Sequence, residues 1–65
     1  MSNYQEAKRY LKEISYLVKT SHKGDKPAIR MIINNCANWC NNDYQLTEHQ
    51  KNLLANYACK LHPKD

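Results

Sequence analysis

The stretch NYQEAKRYLKEISYLVKT, residues 3–20, decides the fold class. Tyr4, Ala7, Leu11, Ile14 and Val18 recur at intervals of three and four residues, with Tyr10 and Leu17 on the flank. Only a helix of 3.6 residues per turn gathers such a set on one stripe, and a strand would need alternation. Ser2 with Gln5, or Asn3 with Glu6, supplies a capping box at the start, in which a short side chain satisfies a free backbone amide. The stretch ends at SHKGD, residues 21–25, where Gly24 enters a left-handed turn without steric cost.

Outward from this segment the pattern repeats twice. Residues 26–41 carry Pro27 in the first turn, where its missing N–H costs nothing. Their apolar stripe is Ile29, Ile32, Ile33, Cys36 and Cys40, with Trp39 beside it. After the polar break NNDYQL, Thr47 and Gln50 form another capping box. Gln50, Leu53, Leu54, Tyr57 and Leu61 then share a face until His62-Pro63 closes the segment. The expectation is an all-α, three-helix unit with helices over about 3–20, 26–41 and 47–62, filling a single domain of residues 1–65. Loops of about five residues favour antiparallel neighbours.

A chain of 65 residues buries about 60% of the surface its unfolded form exposes, so its core is thin. A homodimer is the simplest reinforcement. Three cysteines, Cys36, Cys40 and Cys59, leave one thiol over from any internal disulfide, which points to a reducing, cytoplasmic setting in a cell or infected host. The opening MSNYQEAKRY is polar and leads into no apolar run of signal-peptide or membrane-spanning kind. Ten Lys and Arg against six Asp and Glu give +4, a mild preference for an acidic partner. The bias toward Lys, Asn, Ile and Tyr also fits an A+T-rich gene.

Several chemistries invite attention. Cys36-x3-Cys40 with Cys59-x2-His62 could supply three thiolates and an imidazole to zinc, and a zinc-stapled helical module is one reading of the chain. Cys36 and Cys40, however, fall in the middle of an apolar stripe, where a thiol packs as a small hydrophobe. Cys59 points roughly opposite the stripe of its own helix, as a free thiol with Lys60 beside it. The core reading of the first two cysteines is therefore preferred, with no metal. Nucleophilic catalysis needs a positioned base and an oxyanion site, and His49 and His62 mark no pocket. Gly-rich phosphate loops, EF-hands and HExxH are absent, so neither cofactor nor small-molecule substrate is implied. A DNA-reading helix-turn-helix over the last two segments is disfavoured by a long, Gly-free break and a reading helix poor in Lys and Arg.

The most informative surface lies on the first helix. Lys8, Arg9, Lys12 and Lys19 project away from the apolar stripe with Tyr16 among them, and His22 and Lys23 continue the patch into the loop. Cations meet phosphates or carboxylates, and an aromatic among them can stack on a base or anchor a protein interface. A solvated Lys/Arg face is also what any amphipathic helix shows, and Glu6 and Glu13 soften its field. Tyr16, which folding does not need outside, favours a contact surface. The second helix offers a contrast: Met31, Asn34, Asn38 and Asn41 face outward almost without charge, a face suited to a dimer or partner contact, although codon bias explains asparagine equally well. The resulting expectation is a small non-enzymatic regulatory protein of the phage or mobile-element type. It would modulate a larger macromolecule with an acidic surface through Lys8, Arg9, Lys12, Tyr16, Lys19, His22 and Lys23; direct nucleic-acid binding through the same face is the alternative.

Overall fold

Each helix begins at a side chain that satisfies a free amide. In the computed structural model, which describes residues 2–61, Ser2 Oγ accepts from the Gln5 N–H at 3.3 Å and opens α1 (Asn3–Ser21). Asp25 Oδ1 does the same for the Ala28 N–H at 3.3 Å, with Pro27 in the first turn of α2 (Lys26–Asp43). Before α3 (Glu48–Leu61) the expected capping box closes in both directions. The Gln50 N–H donates to Thr47 Oγ1 at 3.2 Å, and the Thr47 N–H donates to Gln50 Oε1 at 3.0 Å. Asn3 takes a different part from the one expected: its Nδ2 donates to the Tyr44 carbonyl at 2.9 Å, tying the start of α1 to the end of α2.

The turn between α1 and α2 uses Gly24 at φ 86, as its freedom from a Cβ allows. The turn between α2 and α3 has no glycine, and Gln45 adopts φ 50 instead. That strain is held because the next residue, Leu46, is buried in the core. His62 and Pro63, the expected end of the third helix, lie outside the described residues.

All three helices touch one another around a core of Ala7 and Leu11 from α1, Ile33, Cys36 and Cys40 from α2, Leu54 and Ala58 from α3, and Leu46. The result is an all-α unit of three helices, with no strand among the described residues. Ala7 is fully enclosed, and its carbonyl accepts a hydrogen bond from the Cys40 thiol at 3.8 Å. Burial raises the pKa of Cys36, while a hydrogen bond with Cys40 pulls it the other way. Burial also pushes Cys40 up, to about 12, with the Cys36 thiol and the Asp43 carboxylate adding to it. Both thiols are protonated at neutral pH and act as small packing groups.

The apolar stripes are narrower than the sequence suggests. Leu17, placed on the flank of the first stripe, is 57% exposed, and Trp39 on α2 is 59% exposed. Leu53 is 38% exposed, while Ala58, one position beyond Tyr57, is buried. α3 is thus turned so that its inward line runs through Leu54 and Ala58. The small Ala58 side chain lets that helix settle close, and the bulk of Leu53 stays at the rim. Ser15 and Leu46 are enclosed as well, neither of them expected inside.

Candidate interaction surface

α1 is long enough to keep one face in the core and another in solvent, and its outer face carries most of the residues expected to make contacts. Arg9, Lys12 and Tyr16 lie within two turns of one another, at positions i, i+3 and i+7. They line a shallow surface depression together with Glu13 and Leu17. Tyr16 is 72% exposed, so its ring contributes little to holding the fold. Leu17 was read as a flank of the core and Glu13 as a softener of charge; both belong to this depression. The signal that could have found Leu17 is its helical phase, about 100° from the line through Leu11 and Val18, with Tyr16 next to it.

The other expected residues are not gathered into the same place. Lys8 is half-buried, and its Nζ sits 5.0 Å from the centroid of the Tyr57 ring on α3. This cation–π contact joins the second turn of α1 to the end of α3 and gives Lys8 a structural partner. Lys19 is exposed near the end of α1, on nearly the phase of Lys12 and about 10 Å along the axis from it. His22 caps α1, its backbone N–H donating to the Val18 carbonyl at 2.8 Å, and its side chain is exposed with that of Lys23. The seven residues therefore form a core of Arg9, Lys12 and Tyr16, an extension through Lys19 to the loop at His22 and Lys23, and Lys8 turned toward α3.

The cysteines divide in the same plain way. Cys36 and Cys40 are adjacent in the interior, and Cys59 is exposed on α3. His62, the fourth member of the zinc reading, lies outside the described residues. No group of three or more His, Cys, Asp or Glu side chains comes together among the described residues. Among them, too, no helix is long and apolar enough to cross a membrane.

The depression is open and shallow, with Leu17 and the Tyr16 ring offering apolar surface and Arg9 and Lys12 offering positive charge beside it. Such an arrangement can receive an apolar side chain flanked by carboxylates, or a stacked base flanked by phosphates. No family model matches the chain, and no curated protein or solved structure matches it either.

Proposed function

We propose that this protein is a non-enzymatic regulatory binder, of the kind phages and mobile elements encode, which modulates a larger macromolecule by covering part of its surface with the outer face of α1. The observation that carries this reading is the neighbouring exposure of Tyr16 and Leu17 beside Arg9 and Lys12. Single exposed apolar residues are ordinary on any protein. An exposed aromatic next to an exposed leucine, framed by cations, has the composition of a contact site: an apolar anchor with a charged rim. The partner in this reading is a protein with an acidic surface, and Leu17 favours it over a nucleic acid because a branched aliphatic has no base-stacking role. The working unit is a homodimer with antiparallel neighbouring helices. A core whose largest fully enclosed side chains are Leu11, Ile33 and Leu54 leaves a chain of this size marginal when alone.

The test is the combined variant Lys12→Glu/Tyr16→Ala/Lys19→Glu, which touches exposed positions and spares Lys8 on its tyrosine. We expect it to keep the wild-type circular-dichroism melt and to lose the protein captured by the wild type from host lysate. Unchanged capture would remove the assignment of this face. Titration with duplex and single-stranded DNA at ~50 mM salt separates the alternative: direct nucleic-acid binding would show an affinity falling log-linearly with salt, by about 0.9 per phosphate contacted on duplex.

A further inference from the structure

On the side of the molecule formed by α2 and α3 runs a groove unlike the rest of the surface. Asn34, Asn38 and Asn41 of α2 make one wall, and Ala55, Ala58 and Cys59 of α3 stand on the other. No side chain lining it is charged, on a chain that carries sixteen Lys, Arg, Asp and Glu residues and a net +4.

We propose that the occupant of this groove is a second copy of the chain, packed with its own α2–α3 face across a two-fold axis; this locates the homodimer included in the function proposed above. The argument is one of self-complementarity. In a two-fold interface a patch meets itself, so every charge in it tends to face its like. A patch without charge escapes that repulsion, whereas the outer face of α1, where Arg9 and Lys12 outnumber Glu13, would meet more of it. Asparagine suits such a contact because its amide both donates and accepts, so identical side chains from two copies can bond to each other. Ala55, Ala58 and Cys59 are small, so nothing large on the α3 wall keeps the two copies apart.

The experiment combines sedimentation velocity with the reaction of Cys59 toward a thiol-exchange reagent, both followed over a range of protein concentrations. Cys36 and Cys40 are buried and protonated, so the fast thiol is Cys59. We expect wild type to sediment as a dimer at high concentration. Cys59 should then react about tenfold more slowly where nine-tenths of the chains are paired than at dilution. Asn38→Lys puts a charge against its own copy at an exposed position, and lysine is a better helix former than asparagine, so folding is spared. It should sediment as a monomer with Cys59 fast throughout, while Lys12→Glu on α1 leaves the dimer intact. A wild type that is monomeric at every concentration would overturn the homodimer itself. A wild-type dimer that survives Asn38→Lys, with Cys59 reacting equally fast at all concentrations, would overturn the location and leave the dimer standing.

Discussion

The outer face of α1 and the groove between α2 and α3 are both open to solvent, both built on helices, and opposite in chemistry. The first sets Arg9, Lys12 and Lys19, with Glu13 among them, beside Tyr16 and Leu17, and in the proposed reading it serves an unlike, acidic partner. The second is lined by amides and small residues without charge, and it suits a surface like itself. The two share a single core, and Ala7 and Cys40, in contact across it, belong one to each side. In the proposed reading, charge placement rather than exposure separates a face for others from a face for self.

The largest expected effect breaks both faces at once. Leu11→Ala or Ile33→Ala empties a fully enclosed position and should cost about 2–5 kcal/mol, comparable to the stability of a domain this small. Chemical denaturation followed by circular dichroism checks it, and the variant should lose both partner capture and self-association. Alkaline pH comes next and acts on the seam between the faces. Burial holds the Cys36 and Cys40 thiols above the ordinary thiol value of 9.0, Cys40 at about 12. Their contribution is full below pH 9 and is lost as pH rises from there, for Cys40 toward about 12, because the unfolded chain gives up its thiol protons first. The loss should approach about 1.4 kcal/mol per pH unit for Cys40 between those two values, with Cys36 acting in the same direction. Melts of wild type and Cys40→Ala from about pH 8 to about pH 10, roughly one unit either side of the onset, should show a shallower decline in the variant.

Smaller changes divide the two regions. Thr47→Ala removes the cap of α3 and should cost about 1 kcal/mol. It loosens one wall of the groove, so dimerisation should weaken more than binding through α1, which sedimentation and capture can compare. Gln45→Gly relieves a left-handed backbone and should stabilise the turn between α2 and α3 by up to about 1 kcal/mol, read as a higher melting temperature. A lower melting temperature would mean that the Gln45 side chain makes up for the strain.

Much of this was legible before any coordinates. The capping pairs Ser2–Gln5 and Thr47–Gln50 and the single Gly24 carry strong local signals, and they mark the starts of α1 and α3 and the break after α1, whereas α2, expected to end at 41, runs on to Asp43. Cys36, Cys40 and Cys59 sort by helical phase into two inside and one outside. What escaped was tertiary: which edge of a stripe faces a neighbour depends on how closely two helices approach. Ala58 rather than Leu53 faces inward because a small residue permits contact, and Leu46 is buried although it sits in a polar break. At the candidate surface, Tyr16 was visible as an aromatic with no folding role. Leu17 was hidden because a leucine on a flank reads as core until the neighbouring helices are placed. The turn of Lys8 toward Tyr57 was likewise invisible, since it joins residues of different helices.

The most direct test of two faces with two kinds of partner is photo-crosslinking from one position on each. A benzophenone side chain is placed at Tyr16 in one protein and at Asn38 in another, and both are irradiated in host lysate. The account predicts that position 38 yields an adduct of two copies of the 7.7 kDa chain, and that position 16 yields adducts with a different protein. The same adducts from both positions, or a crosslinked homodimer from position 16 alone, would contradict it.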